Sequence, residues 1–520
     1  KDAKDLDLAE GAMLAGIPQA PSDWDPIIHP DLAAARQQQV LDAMVNQGDI
    51  TPAQETAALA EKITFHPQVN TFLAPHFVNY VESELHSLGF NPGVQQLYVT
   101  TTLDYSKQTQ AEADVRANLA NQRWRDTSGQ LHSAMVALDP QTGEIIAYVG
   151  SDDYNSEAGQ YDYVSGVPVN TGSSMKAFTY PAAINTRQVT SETAIKDGPS
   201  PYHIPQVDAP DYLVYNYTHG TYGTLPLREA WDNSLNIPAV KVEQLIGVPT
   251  VVNFMRSVGV HPEAPVNGVY QPDAPLTSYG PSLTLGGYPV KLLDEAHGLA
   301  TEADLGVYHD IESILTVKDA HGRLLYQANP DASRKQVVDP GVCFVEAQIL
   351  SDNYNRRLLF GLNSQLHWPD HTVAAKTGTS DDFKSNASIA FTPDLATIFW
   401  IGDTLGNNHF MVNGSDAEVT ILPALHTFVD QDLQGVPANR WYTQPSDVVS
   451  GGNHAWFLAD QRNVPKLPGD SASPSPSPIS SAVPPNPGAG PTYIDLPTPT
   501  PSPTPLPTPT PTVLPTPKHP

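Results

Sequence analysis

Cysteine is nearly absent from this chain, since Cys343 is the only one among its 520 residues. A single thiol excludes an intramolecular disulfide framework and a cysteine-rich metal site, and we expect Cys343 to be a buried, apolar-like side chain. Histidine occurs 17 times, but without a His-Glu-x-x-His or comparable spacing. A metalloenzyme is therefore a weak alternative, and the sequence predicts no metal site and no cofactor.

Long apolar runs and excess positive charge are also lacking. No stretch of about 20 apolar residues occurs, and no signal peptide opens the chain. The formal net charge of −29 disfavours binding to nucleic acid and peripheral attachment to anionic membranes. Because the chain starts at Lys1, directly before a helical pattern, we expect that an upstream portion once preceded it.

Proline is abundant instead, and it is concentrated towards the C-terminus. The chain has 51 prolines, and beyond Pro465 they alternate with threonine and serine. Such a segment has few large apolar groups to bury, and dense proline favours extended polyproline II. We therefore predict that residues 465–520 form a stiff, disordered spacer, with a role as an SH3-like ligand as the less favoured alternative.

The remaining sequence predicts an α+β fold. Helices are expected through residues 6–64, where Asp31 would cap a helix over 32–45 that ends at Gly48, and Thr51 would cap a second over 53–62. A sheet built from early and late strands, with helices inserted between them, is the expected arrangement. The predicted strands are 98–103, 134–138, 144–149, 372–375 and 396–401, and further helical patterns cover 106–122, 174–258 and 290–300.

The first of three short motifs is Ser-x-x-Lys, formed by Ser173 and Lys176 where a helical stretch opens. Positions i and i+3 share one helix face, so the hydroxyl and the amine can meet. Serine needs an adjacent base, and a lysine can be that base only if burial or neighbouring cations keep it partly neutral. Chance alone gives about one or two such matches in a chain of this length, so this motif is weak by itself.

Two further motifs follow in the chain. Ser234 and Asn236 form Ser-x-Asn, in which the hydroxyl could relay a proton and the amide could hold a carbonyl, although a helix cap would also explain them. After the apolar strand at 372–375 come a cation, two hydroxyls and a glycine, which suit a peptide carboxylate, with a chance loop turn as the alternative. Separations of about 60 and about 140 residues, in this order, make three accidents improbable. The third motif consists of Lys376, Thr377, Gly378 and Thr379.

In this order, the three motifs resemble those of class A penicillin-binding proteins. The similarity covers about residues 4–442, and residues 5–57 resemble the end of that family's glycosyltransferase domain. Thr171 and Ala177 stand where the family usually has proline, Ala387 lies near a common tryptophan, and the run 285–289 lacks the usual acidic residue. These departures can reshape the cleft but leave every catalytic side chain present. The segments that resemble the transpeptidase domain are 137–144, 171–180, 234–241 and 391–395.

The resemblance implies a penicillin-binding transpeptidase fold, with an antiparallel sheet flanked by helices and an inserted helical subdomain. It also implies five parts, and no glycan polymerisation is expected, because the family's catalytic glutamate motif lies upstream of Lys1. The implied location is the outer face of the bacterial cytoplasmic membrane, reached only through an anchor that precedes this chain. The parts are a glycosyltransferase remnant (1–64), a connector (65–130), a transpeptidase domain (131–445), an extension (446–464) and the tail (465–520).

The family's roles can be carried over residue by residue as expectations. Ser173 would be the acylated nucleophile and Lys176 its base, while Ser234 and Asn236 would complete proton transfer and position the substrate. Lys376 would set the local field. The side chains of Thr377 and Thr379, beside Gly378, would bind the terminal carboxylate of the substrate. The backbone N–H groups of Ser173 and Thr379 would form the oxyanion hole.

The implied reaction is D,D-transpeptidation of peptidoglycan stem peptides. A donor that ends in D-Ala-D-Ala would acylate the serine, and an acceptor amine would then take the acyl group, with carboxypeptidation as a side reaction. β-Lactams would be inhibitors, and no nucleic acid is expected as a partner. Two alternatives stay open: a β-lactamase or β-lactam sensor, and a catalytically degenerate wall-binding or scaffold protein.

Overall fold

The computed structural model describes residues 3–21, 23–65, 73–127, 129–156, 158–206, 209–402, 411–452 and 454–461. The predicted Pro-rich tail at 465–520 lies outside these ranges. The helices of the described residues are α1 (Leu8–Gly16), α2 (Pro30–Gln47), α3 (Pro52–Ala60), α4 (Pro75–Ser87), α5 (Tyr105–Gln122), α6 (Lys176–Asn185), α7 (Leu227–Asp232), α8 (Asn236–Ile246), α9 (Val248–Ser257), α10 (Leu292–Ala303), α11 (Pro340–Ser351), α12 (Ala417–Thr420) and α13 (Leu422–Asp432). No helix within these ranges combines the length and the apolar character that a bilayer crossing requires.

The strands are short outside one central sheet. They are β1 (Leu97–Thr101), β2 (His132–Leu138), β3 (Ile145–Val149), β4 (Ala194–Asp197), β5 (Tyr202–Gln206), β6 (Ala209–Val214), β7 (Gly223–Pro226), β8 (Ala264–Val266), β9 (Val269–Gln271), β10 (Val307–Tyr308), β11 (Ile314–Asp319), β12 (Leu324–Gln327), β13 (Lys335–Gln336), β14 (Ala374–Thr379), β15 (Ser385–Thr392), β16 (Leu395–Gly402), β17 (Val448–Gly452) and β18 (Ala455–Leu458).

A five-stranded antiparallel sheet brings early and late parts of the chain together. Its strand order is β14-β15-β16-β2-β3, so β2 pairs with β16, with Val136 opposite Ile398. The hairpin of β2 and β3 and the late strand β16 were expected from their apolar, β-branched sequence. Strand β15 was not predicted, and it connects β14 to β16. The expected α+β class with an antiparallel sheet flanked by helices is confirmed.

Helices cover both faces of this sheet. Val136 lies in a core shared with Phe178 of α6 and with residues of α10, whereas Met135 lies in a second core shared with Phe428 of α13 and with residues of α5. Successive side chains of a strand point to opposite faces, so a strand that is covered on both sides is apolar at every position. This explains the uninterrupted apolar run at 134–138, and it fixes the sheet as the rigid support of the site.

The N-terminal helices mostly begin and end where the sequence predicts. Gly48, in the left-handed conformation with φ 83°, ends α2, and Thr51 caps α3 through reciprocal hydrogen bonds with Gln54. The prediction that Asp31 caps α2 is wrong, because the helix begins at Pro30 and Asp31 lies in its first turn. Proline has a fixed φ and no N–H to satisfy, so it suits the first helical position. The helix therefore begins at Pro30, one residue before Asp31.

The helical prediction for residues 174–258 is only partly right. Helices α6 to α9 are present, but four short strands lie between α6 and α7 and pair as β4 with β7 and β5 with β6. Prolines at positions 199, 201, 205 and 210 oppose a helix there, because proline lacks the backbone donor and clashes with the preceding turn. The strand predicted over 98–103 is present as β1, and it pairs with β11 in a separate sheet.

Candidate active site

Ser173 and Lys176 lie at the start of α6. Ser173 belongs to a 3-10 turn, Gly172–Met175, which runs directly into α6 at Lys176. The hydroxyl of Ser173 is partly exposed, whereas the side chain of Lys176 is completely buried. The Ser-x-x-Lys motif therefore places its two side chains one helical turn apart, with the serine towards solvent and the lysine beneath it.

Lys176 contacts three oxygens that form a cradle around its amine. The Nζ atom lies 3.0 Å from Ser173 Oγ, 2.7 Å from the carbonyl oxygen of Ser234 and 2.7 Å from Asn236 Oδ1. A neutral amine can donate to the carbonyl and amide oxygens while its lone pair accepts the proton of the serine hydroxyl. Burial, and then the charge of Lys376, lower the pKa of Lys176 well below its usual value. Both conditions for a lysine base are therefore met.

Ser234 contacts both buried lysines through different groups. It lies between α7 and α8 with φ 58°, so its carbonyl oxygen accepts from Lys176 while its Oγ accepts from Lys376 Nζ at 2.8 Å. A left-handed conformation costs a residue with a side chain about 1–2 kcal/mol, and such strain is common at functional sites. The alternative explanation of Ser-x-Asn as a helix cap is not supported, because the capping position of α8 is occupied by Leu235.

A hydrogen bond to the backbone of Tyr215 holds the side chain of Asn236 in one orientation. Its Nδ2 atom donates to the carbonyl oxygen of Tyr215 at 2.8 Å, which leaves Oδ1 facing Lys176. The backbone N–H of Asn236 donates to Asn216 Oδ1 at 2.9 Å, and Asn216 in turn donates to both carboxylate oxygens of Asp197. Asn216 and Asp197 could not be predicted from the sequence, because neither belongs to one of the three motifs.

The third motif lies inside a strand, which corrects the prediction that it follows one. Hydrogen bonding between β14 and β15 continues from Ala374 to Thr379, with Thr379 opposite Asn386. The Nζ atom of Lys376 donates to Ser234 Oγ and, at 2.6 Å, to the carbonyl oxygen of Thr377. Burial lowers the pKa of Lys376 to about 7, although the carboxylate of Asp232 opposes this shift.

Glycines allow β14 to lie directly against the nucleophile turn. A Cβ atom on Gly378 would come within 2.0 Å of the carbonyl oxygen of Thr171 and 2.7 Å of the backbone nitrogen of Ser174. Gly172 has φ 64°, and a Cβ atom there would meet the backbone of Thr379 at 2.5 Å. Only glycine fits at either position without moving the neighbouring backbone. The second and third motifs are thus both in contact with the first.

The two threonines of β14 differ in exposure. Thr377 is mostly buried, whereas Thr379 is partly exposed and its Oγ1 accepts a hydrogen bond from the backbone N–H of Ala417 at 3.0 Å. A hydroxyl that accepts one hydrogen bond can still donate its own proton. Thr379 therefore retains a donor for an anionic group in the cleft.

A buried ion pair beside Lys376 was not predicted. Asp232, at the end of α7, lies 3.2 Å from Arg356 Nε, and both side chains are essentially inaccessible to solvent. Arg356 also donates to the carbonyl oxygens of Leu350 and Leu366. Asp232 stands two residues before Ser234, so its place in the sequence offered a weak signal. Arg356 offered none, since it lies in a polar segment without a motif.

Within the part of the chain that the structure describes, no group of three or more histidine, cysteine, aspartate or glutamate side chains is arranged to hold a metal ion. Cys343 is buried, as expected, and burial raises the pKa of its thiol. A buried, protonated thiol is a poor nucleophile, so Cys343 offers no alternative to Ser173.

Comparisons with known proteins agree with this geometry. The family described as the penicillin binding protein transpeptidase domain matches residues 133–412, and a transglycosylase family matches residues 1–45. Penicillin-binding protein 2D of Bacillus subtilis is 29% identical over 468 residues, which cover 87% of this chain and 62% of the relative. The chain spans only between 51% and 62% of the length of the first three curated relatives that it matches.

Solved structures share the fold. Penicillin-binding protein 1A of Haemophilus influenzae aligns with a TM-score of 0.73 at 20% identity, covering 90% of this chain and 88% of that one. The PonA1 protein of Mycobacterium tuberculosis, solved in complex with penicillin V, aligns with a TM-score of 0.59 at 22% identity, covering 76% of this chain and all of that one. At these identities the likeness concerns the fold alone.

Proposed function

This chain belongs to the penicillin-binding proteins that carry a transpeptidase domain, and from that premise we propose that it is a peptidoglycan D,D-transpeptidase. In this proposal Ser173 forms an acyl-enzyme with stem peptides that end in D-Ala-D-Ala, and the acyl group then passes to an acceptor amine. The observation that carries the proposal is the amine of Lys176, fully buried and 3.0 Å from Ser173 Oγ.

Acylation begins with the neutral amine of Lys176 taking the hydroxyl proton of Ser173. The oxygen attacks the carbonyl carbon of the penultimate D-Ala, and the negative charge that develops on the carbonyl oxygen is held by the backbone N–H groups of Ser173 and Thr379. The contact between the nucleophile turn and β14 supports this pairing of donors, since it brings the two backbones together. No proton needs to enter from solvent during this step.

Release of D-Ala requires that its amine gain a proton as the C–N bond breaks. The hydroxyl of Ser234 gives that proton, and the proton that Lys176 took from Ser173 replaces it. Lys376 keeps its own proton and donates to the Oγ of Ser234, whose carbonyl oxygen accepts from Lys176. In the second half-reaction the acceptor amine attacks the ester carbonyl and loses a proton by the reverse path. The new amide forms, and Ser173 regains its proton from Lys176.

Substrate orientation falls to the amide of Asn236 and the hydroxyls of β14. The terminal carboxylate of the donor lies near Thr377 and Thr379, beside the field of Lys376. A β-lactam would use the same groups, because it also offers a strained amide next to a carboxylate. We further propose that the reaction takes place on the outer face of the bacterial cytoplasmic membrane, where peptidoglycan is built.

Labelling with a fluorescent penicillin tests the proposal. We expect the wild type to acquire a covalent label and the Ser173→Ala variant to acquire none. Ser174→Ala is the matched control, since Ser174 is the next serine on the same turn and its Oγ donates to the carbonyl oxygen of Thr171. Stable labelling of Ser173→Ala, with loss of label from Ser174→Ala, would overturn the assignment of the nucleophile.

The lifetime of the label separates the remaining alternatives. A long-lived adduct agrees with a transpeptidase, whereas release within seconds would indicate a β-lactamase. Folded wild-type protein that neither takes the label nor turns over a D-Ala-D-Ala analogue would indicate a catalytically degenerate wall-binding protein. Both of the latter results contradict the proposal.

A further inference from the structure

Two lysines buried side by side pose a problem of charge. Lys176 and Lys376 are almost wholly inaccessible to solvent, and each contacts Ser234, one through the carbonyl and one through the hydroxyl. A buried ammonium is costly unless an anion is near, so two of them cannot be held together easily. The proposed reaction needs one lysine neutral, as the base, and one charged. Their immediate hydrogen-bond partners are all neutral oxygens and do not decide which lysine is which.

Asp232 makes the surroundings of the two lysines different. Its carboxylate favours the charged form of Lys376, whereas no carboxylate acts on Lys176, whose pKa is governed by burial and by the charge of Lys376. Asp232 is itself held by Arg356, which lies 3.2 Å away and favours the ionised form of the carboxyl. One oxygen of the carboxyl, Oδ1, is buried without a hydrogen-bond partner within the described residues.

We propose that Asp232 is a positioning residue that favours the charged form of Lys376 and so leaves Lys176 as the neutral base. Arg356, 3.2 Å away, favours the carboxylate form of Asp232 at the end of α7. This inference rests on the proposed function, because it assigns the charge states that the acyl transfer from Ser173 requires. It reaches beyond that function, since neither Asp232 nor Arg356 belongs to the three motifs.

The electrostatic surroundings of Lys376 come from four elements. Lys176 faces it from α6 and Asp232 from α7, while Arg356, in the segment after α11, opposes its charge. Asp352, at the end of α11, acts on Asp232 and raises the pKa of its carboxyl. Burial raises the pKa of Asp232 to about 7 and lowers that of Lys376 to about 7, so both groups change charge near neutral pH.

The pH dependence of acylation follows from these signs. Acylation rises with pH as Lys176 loses its proton, and it falls again as Lys376 loses its own, which gives a bell-shaped profile. Because the two lysines are coupled, the limbs belong to the pair. Loss of the Asp232 charge lowers the pKa of Lys376, and the weaker repulsion from Lys376 then raises the pKa of Lys176. The two limbs therefore move towards each other.

The test is the pH profile of fluorescent-penicillin attachment to the full chain carrying Asp232→Asn. We expect the falling limb to move down by about one pH unit and the bell to narrow, as for loss of a nearby opposite charge. Asp114→Asn is the matched control, because Asp114 is also buried but lies on α5, with Gln110 Nε2 as its donor. That control should keep the wild-type limbs.

A second variant covers the case in which Asp232→Asn fails to fold with Arg356 left unpaired. The double variant Asp232→Asn with Arg356→Met removes both buried charges, which proteins often tolerate. Its falling limb should lie between those of the wild type and Asp232→Asn, because the repulsion from Arg356 is also gone. Wild-type limbs in either folded variant would overturn the inference. If instead the wild type takes no label at all, the proposed function fails first, so the two failures are distinguishable.

Discussion

At the scale of single residues, the site depends on side chains whose properties change when they are buried. Lys176 would be a protonated, exposed cation on an isolated helix, but here it lies beneath Ser173 with its amine in contact with oxygens only. Burial, and then the charge of Lys376, lower the pKa of its amine, which favours the neutral form that the proposed base requires. The proposed role of Ser173 as the nucleophile thus depends on the core that surrounds the lysine.

This dependence predicts the effect of Lys176→Arg. The guanidinium keeps its charge at every accessible pH and cannot accept the proton of Ser173. We expect the rate of penicillin attachment to fall about 10²–10⁴-fold, with no recovery as the pH rises, in contrast to the wild type, whose rate rises through the folded-state pKa of Lys176. The rate of fluorescent-penicillin attachment, measured at a series of pH values, tests this expectation.

The control for that variant is Lys241→Arg. Lys241 lies on α8 and donates to the carbonyl oxygens of Lys196 and Gly198, so it shares the helix of Asn236 but not the site. Its rate and pH profile should match the wild type. A Lys176→Arg enzyme that regains wild-type rates at high pH would show that another group takes the serine proton.

Residue types and spacing predicted the members of the site better than they predicted its supports. The eight residues that the three motifs singled out, from Ser173 to Thr379, lie together around Ser234. They could be predicted because each motif holds its residue types at a short, fixed spacing. Asp232, Arg356, Asn216 and Asp197 are brought to the site by the tertiary fold. A single buried acid or amide has no periodic pattern, so its role becomes visible only with its contacts.

At the scale of elements, the site is the junction of a turn, a loop and a strand. The nucleophile turn before α6 touches β14 through glycine on both sides, and the loop between α7 and α8 carries Ser234 beneath them. The order of strands places β14 at the edge of the central sheet. Catalytic geometry therefore depends on how closely these elements approach.

Gly378→Ala tests that approach. The added methyl group would overlap the carbonyl oxygen of Thr171, which belongs to the backbone and cannot swing away. We expect β14 to move off the turn, with a stability loss of about 1–3 kcal/mol and a penicillin attachment rate reduced at least about 10-fold. Thermal unfolding and labelling rate measure the two effects separately.

Gly11→Ala is the matched control. Gly11 lies within α1, and a Cβ atom there would meet nothing within 4 Å. The same substitution should therefore leave labelling unchanged and stabilise the helix slightly, because alanine favours helices more than glycine does. Wild-type labelling by Gly378→Ala would contradict the close contact of β14 with the nucleophile turn.

Element types were predictable where the local pattern was strong. The capped helix after Thr51 and the apolar strands β2 and β16 were expected from short-range rules. The four short strands between α6 and α7 were missed, because strands of only four to six residues are stabilised by their pairing with other segments more than by their own sequence pattern. The extent of β14 was misjudged for the same reason, since its pairing with β15 carries the strand through the motif.

At the scale of the whole molecule, one sheet joins strands that are more than 200 residues apart. Residues 132–149 and 374–402 form it together, and the segment inserted between them supplies Ser173 and Ser234. The predicted division into five parts remains a proposal. The hairpin of β17 and β18 bears on it, because Val448 and Leu458 are buried in the same core as α11. Strands β17 and β18, within the predicted extension, therefore contribute to that core.

The measurement that tests the central claim most directly is the mass of the chain after reaction with a D-Ala-D-Ala donor analogue. We expect one acyl group per chain, attached to the peptide that contains Ser173, together with release of D-Ala and transfer of the acyl group when an acceptor amine is added. An unmodified Ser173 in folded protein that has met the donor, or an acyl group on any other residue, would contradict the account.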